Sequence, residues 1–150
     1  MSTPSGPNWT LENTKVDVKI KLSALWIATM LCYIYGDYFE LYVPGKLHSM
    51  IDGKMLPLGP VTQGMLIGTS TMMATQALMA FFSLVAPPAL NRWLNVVFGL
   101  VSGLIVAMVI TQGGWMFYKL LGVVEIALLM TLVRLAWTWP RCSLSLETSR

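Results

Sequence analysis

The stretch VTQGMLIGTSTMMATQALMAFFSLVA, residues 61–86, contains no ionisable side chain. About 20 mostly apolar residues in a helix cover the roughly 30 Å of hydrocarbon in a bilayer. A water-soluble helix of this length would carry a charged stripe on the face turned away from its core, and this one has none. It reads as a membrane span.

Three further stretches have the same character, at about 20–43, 92–111 and 115–139. The first holds two acids, Asp37 and Glu40, near its end. The third has Arg92 at its edge and otherwise only Asn95 and small hydroxyls. The fourth carries Lys119, Glu125 and Arg134. Only 11% of the 150 residues are charged and 55% are hydrophobic, against about 25% charged in soluble domains. The expected fold is all-α: a polytopic membrane protein built as a four-helix transmembrane bundle.

The spans divide the chain simply. Residues 1–14, with Pro4, Gly6 and Pro7 among Ser, Thr and Asn, form an expected flexible N-terminal segment. Residues 15–140 make one transmembrane domain, and 141–150 a C-terminal tail. No cleavable signal peptide is expected, because the first twenty residues are polar and the first apolar stretch is too long. From Val16 to Leu22 apolar residues alternate with Asp17, Lys19 and Lys21, which reads as an interfacial lead-in rather than a lone strand.

Between spans, the link at 44–60 has turn formers in Gly45, Gly53, Pro57 and Gly59. Its apolar residues (Leu47, Met50, Ile51) predict a short helix at the interface. Pro87 and Pro88 end the second span, since proline cannot continue the helical hydrogen-bond ladder. Gln112, Gly113 and Gly114 make a tight turn, so the third and fourth spans are expected to be antiparallel neighbours.

Seven of the ten cations (Lys15, Lys19, Lys21, Arg92, Arg134, Arg141 and Arg150) fall on one side of these spans; Lys46, Lys54 and Lys119 fall on the other. Cytoplasmic loops are enriched in Lys and Arg, so both termini are expected in the cytoplasm. Trp93, Trp137 and Trp139 then form the inner aromatic belt, and Tyr38, Tyr42, Trp115 and Tyr118 the outer one. Gly64-x-x-x-Gly68 and Gly99-x-x-x-Gly103 let helix backbones approach closely in lipid, either within one chain or between copies of it.

The segment YIYGDYFELYVPG, residues 33–45, is the richest in chemistry. Tyr33, Asp37 and Glu40 are spaced i, i+4, i+7 and share a helix face. At 1.5 Å per residue, Asp37 lies about 9 Å and Glu40 about 4–5 Å below the outer end of that span, and Glu125 about 15 Å into the fourth. A carboxylate at the helix centre costs roughly 2.5–3.5 kcal/mol on insertion, so it normally faces a partner or a watery cavity, or stays protonated. Stacked on facing helices, Glu125, Tyr33, Asp37 and Glu40 would line a polar track opening outward. Tyr33 is expected to donate to Glu125, and Lys119 to pair with Glu40 or Asp37, with Tyr38 helping to orient them. Thr62, Thr69 and Gln76 add a polar series at seven-residue spacing on the second span.

No nucleophile–base set, phosphate loop or haem-type histidine pair occurs, and no cofactor is expected. His48 and Asp52 form one i, i+4 pair without a third metal ligand. The net charge of +3 fits anionic lipid headgroups, not nucleic acid.

The runs Tyr33 to Gly45, Gly59 to Gly64 and Asn91 to Asn95 resemble a family of small four-helix integral membrane proteins known only as a domain of unknown function. The resemblance spans about Lys15 to Pro140. It implies four spans, and implies that the tyrosine- and acid-rich end of the first helix is the family's signature; it supplies no activity or mapped site. The residues favour a site made of Tyr33, Asp37, Tyr38, Glu40, Lys119 and Glu125 that binds or passes a small cation, proton or amphipathic molecule. Two alternatives stand beside it. One is a membrane enzyme or accessory subunit using Glu125 as a general acid on a lipid-phase substrate. The other is a structural or assembly subunit. Expected partners are membrane lipids, a small cation or hydrophobic ligand, and further copies of the chain through Gly64, Gly68, Gly99 and Gly103.

Overall fold

The computed structural model describes residues 15–55 and 59–140, so the expectations for 1–14 and 141–150 concern residues outside that range. Five helices are present: α1 Val18–Glu40, α2 Lys46–Ile51, α3 Gln63–Val85, α4 Pro88–Thr111 and α5 Met116–Trp137. All but α2 are long and apolar enough to cross a membrane. With 22 to 24 residues each, they extend about 33–36 Å. The protein is a multi-pass, all-α membrane bundle.

Local chemistry sets the ends. The Asp17 side chain accepts from the Lys19 amide at 2.7 Å, filling one of the orphan donors of a helix start. The alternating residues from 18 onward are therefore helix, and the lead-in shrinks to Lys15–Asp17. Thr62 caps α3 by accepting from Met65 N. Pro88 occupies the first turn of α4, where its missing N–H is no loss. Across the gap, Lys19 Nζ donates to the carbonyls of Leu84 and Ala86, at 3.3 and 2.9 Å.

Helix α1 stops at Glu40, three residues before the expected boundary. Leu41–Val43 turn, and Gly45, at φ 82°, reverses the chain into α2. The left-handed region is open to glycine without steric penalty. Beyond α2, residues Lys54–Met55 (β1) pair with Gly59–Pro60 (β2) in a two-residue antiparallel ladder that the sequence did not announce.

In the bundle α1 packs between α3 and α5, and α5 between α1 and α4; α3 and α4 touch only slightly. The α4–α5 pair runs antiparallel, as the short turn predicts. Gly99 faces Leu132 and Val133, and Gly122 faces Val106 and Ile110. A Cβ on Gly99 would come within 2.8 Å of Val133 Cγ2, and one on Gly122 within 2.6 Å of Ile110 Cδ1. These two glycines are what bring the helices together. Gly64, Gly68 and Gly103 meet nothing within 4 Å. The small-residue motifs thus divide: Gly99 packs inside the chain, and the other three face outward. Leu22, Trp26, Met79, Val96, Leu129 and Leu132 form the core, while Ile27, Leu31, Leu100, Leu104 and Leu120 stand exposed, as lipid-facing residues do.

Candidate functional site

Near the middle of the bundle three polar residues from three helices turn inward. Gln76 of α3 is 2% exposed and Glu125 of α5 is 6% exposed; both lie close to the centre of their helices. Tyr33 of α1 is half-buried, and its hydroxyl is within electrostatic reach of both Gln76 and Glu125. Each position follows from helical phase. On α1, residues 22, 26, 29, 33, 36 and 40 alternate in steps of four and three toward the interior. On α5, residues 122, 125, 129, 132 and 136 do the same. On α3 the seven-residue series Thr62, Thr69, Gln76 continues to the buried Ser83.

What sets this cluster apart is hydrogen bonding. The Tyr33 hydroxyl and both ends of the Gln76 amide are buried without a hydrogen bond of ordinary geometry, although the phenol and the amide lie close enough to interact; the expected Tyr33–Glu125 bond is not formed. A phenol offers one O–H donor; a glutamine amide offers two N–H donors and an acceptor oxygen. Leaving such a group buried and unpaired costs about 1–3 kcal/mol, and native proteins seldom tolerate it without a reason. Chemically, the three side chains can hold a small polar group, and the carboxyl of Glu125 can take or give a proton.

Toward the α2 end the acids are arranged differently from expectation. Glu40 pairs with Lys46 Nζ at 2.7 Å, and Lys46 is only 8% exposed. Helix α2 folds back to supply the cation assigned to Lys119, which is half-buried on α5 and makes no ion pair among the described residues. Asp37 sits at the edge of the α1 face and is exposed, with Gly36 taking the inward position. Its charge still bears on Glu40, Lys46, Tyr118 and Glu125. Tyr38 is a surface residue: its hydroxyl lies 2.9 Å from that of Tyr42, and its ring packs edge-on against Phe39 and Tyr42. Its hydroxyl is engaged with Tyr42 rather than with the acids.

Three members of the region were missed or misplaced by sequence reasoning. Gln76 was noticed as polar but not joined to Tyr33 and Glu125; Lys46 was counted only as an outer cation; Tyr118 was placed in the belt, yet it stands within reach of all three acids. The i, i+7 spacing of Gln76 with Ser83 was the available signal for the first. Two surface grooves, one along α3 and one between α4 and α5, include none of the six expected site residues in their linings.

At the opposite end of the bundle a second polar group contrasts with the first. Trp26 Nε1 donates to Asn95 Oδ1 at 2.7 Å, and Ser83 Oγ approaches the same oxygen at 3.1 Å. Asn95 Nδ2 donates to Asn91 Oδ1, and Asn91 Nδ2 to the Ser83 carbonyl. This knot ties α1, α3 and α4 with its donors satisfied.

The model of a family of unknown function (DUF6326) matches residues 11–146. The chain belongs to that family. The match covers a little more than the stretch carrying the resemblance, and it takes in the central cluster, the Glu40–Lys46 pair and the knot alike. No curated protein and no solved structure matches the chain.

Proposed function

We propose that this member of the family binds or passes a small cation, a proton or a small amphipathic molecule through the Tyr33–Gln76–Glu125 cluster, with Asp37 and Glu40 on its outward side. The observation carrying this reading is the buried hydrogen-bonding capacity of Tyr33 and Gln76 beside a mid-bundle carboxyl. An intramembrane ionisable residue marks a substrate or ion pathway by default. Glu125 is the group that accepts the proton or faces the cation, and Tyr33 and Gln76 present donors and an acceptor to whatever it holds. The Lys46–Glu40 pair sits at the outer end of the track and leaves Asp37 and Glu125 as its charged groups.

The reading includes an orientation and an assembly. Lys15, Lys19, Lys21, Arg92 and Arg134 collect at the end where α1 begins, which supports placing both termini in the cytoplasm. Four helices enclose little space, so a transport path needs more than one copy. The outward Gly64 and Gly68 of α3 supply a face for that contact.

The test is proteoliposome flux and ligand binding with E125Q, D37N and E40Q. Glu125→Gln is expected to lower flux at least tenfold, about 1.4 kcal/mol on the barrier, with D37N and E40Q following in smaller steps. Unchanged flux and binding in all three variants would overturn the proposal.

A further inference from the structure

Along the seam of the α4–α5 hairpin runs a groove of about 580 Å³, lined almost wholly by apolar atoms. On α4 it is lined by Gly99, Gly103 and Ala107, spaced four apart; Val133 and Leu132 close over Gly99, and nothing lies within 4 Å of a Cβ at Gly103. Leu100, Leu104 and Met130 form its walls. At 1.5 Å per residue Gly99 lies about 9 Å below the level of Trp93, Gly103 about 15 Å, near the bilayer centre, and Ala107 about 21 Å.

The groove's end is not apolar. Arg134, Trp137 and Thr138 line it there, and the Arg92 guanidinium lies over the Trp137 ring at 5.0 Å. Trp93 packs edge-on against Trp137 at 6.3 Å, so this end lies at the headgroup level that tryptophan favours. Arg92 Nε is buried without a hydrogen-bond partner, and neither arginine makes an ion pair among the described residues. The described acid at this end, Asp17, is engaged with the Lys19 amide.

An apolar channel that starts at headgroup level beside two arginines without an ion pair among the described residues, and runs to the bilayer centre, has the outline of one ligand class. We infer that the α4–α5 groove is a binding site for a phospholipid of net negative headgroup. One acyl chain lies along Val133 and Met130 down to Gly103, and the phosphate meets Arg134 and Arg92. A zwitterionic lipid would bring its own cation toward the same arginines. A second copy of the chain would fill the groove through Gly103 yet offer nothing to the guanidinium groups. The inference is independent of the central cluster, whose residues line none of this groove.

The test is native mass spectrometry of the full-length protein released from nanodiscs containing equal amounts of phosphatidylglycerol and phosphatidylcholine. Each basic residue near the membrane surface contributes on the order of 1 kcal/mol toward an anionic lipid, so the wild type is expected to retain phosphatidylglycerol about tenfold or more over phosphatidylcholine. The double variant R92Q/R134Q is expected to abolish that preference while keeping some lipid bound. Gly103→Leu is expected to cut retention of both lipids. Its new side chain meets nothing within 4 Å at the Cβ position, and circular dichroism of the same sample checks the fold. Met130→Trp, which narrows the groove from the α5 wall, decides the matter if Gly103→Leu does not fold. Equal retention of the two lipids by the wild type overturns the inference. So does retention unchanged by filling the groove, or a wild-type dimer that Gly103→Leu dissolves.

Discussion

The knot at Trp26, Ser83, Asn91 and Asn95 and the cluster at Tyr33, Gln76 and Glu125 are built from the same materials. Each takes buried polar side chains from three helices, and the two share the polar face of α3, one at Ser83 and the other at Gln76. They differ in what those side chains touch. In the knot, Asn95 accepts from Trp26 and donates to Asn91, and the one proton of the Ser83 hydroxyl lies between the Met79 carbonyl at 2.7 Å and Asn95 Oδ1 at 3.1 Å. In the cluster, the phenol and the amide are left without a hydrogen bond of ordinary geometry. Polar residues inside a membrane bundle therefore divide by satisfaction rather than by burial: a closed network holds helices in register, and an open one has capacity for something else.

That division can be broken by substitution, most forcefully at the hub. Asn95→Leu strips the acceptor from Trp26 and the donor from Asn91, while Ser83 keeps the Met79 carbonyl. It is expected to cost about 2–3 kcal/mol in reversible unfolding in mixed micelles. Trp26→Phe removes one donor and leaves part of the fully buried indole's volume empty, and its expected loss is about 2 kcal/mol in the same measurement. Gln76→Leu removes a side chain whose polar neighbour, the Tyr33 hydroxyl, forms no well-aligned hydrogen bond with it, so stability should move by less than about 0.5 kcal/mol or rise. Flux or binding in proteoliposomes should nevertheless fall with it. Tyr33→Phe is the mildest, with a stability change inside the error of the measurement and a partial loss of flux. Equal destabilisation by Asn95→Leu and Gln76→Leu would erase the contrast between the two regions.

Much of the fold was legible because the signal is blunt. Uncharged runs such as 61–86 have one way to exist in a membrane, and the structure returns Gln63–Val85 within them. Pro87–Pro88 and Gly113–Gly114 punctuate the chain where sequence reasoning put them. The site was read less well, because its residues depend on helical phase. One position along a helix turns a side chain by about 100°; that rotation puts Gly36 inside and Asp37 outside. The partner of Glu40 was misassigned for another reason. Lys119 lay at a plausible depth on a neighbouring helix, but Lys46 reaches the carboxylate only because Gly45 and α2 fold the chain back, and no periodicity encodes such a reversal. The knot escaped notice because Trp26, Ser83 and the Asn91–Asn95 pair stand on three different spans and carry no pattern that joins them.

The link between α4 and α5 bears on how the protein is made. Residues 112–115 contain no charge, and Gly113 and Gly114 adopt φ values of 96° and 125° that fold the chain sharply on itself. So short a connection leaves too little chain for one helix to wait in the bilayer while the other stays in water. The two helices are therefore tied to cross the bilayer together, in contact along Gly99 and Gly122.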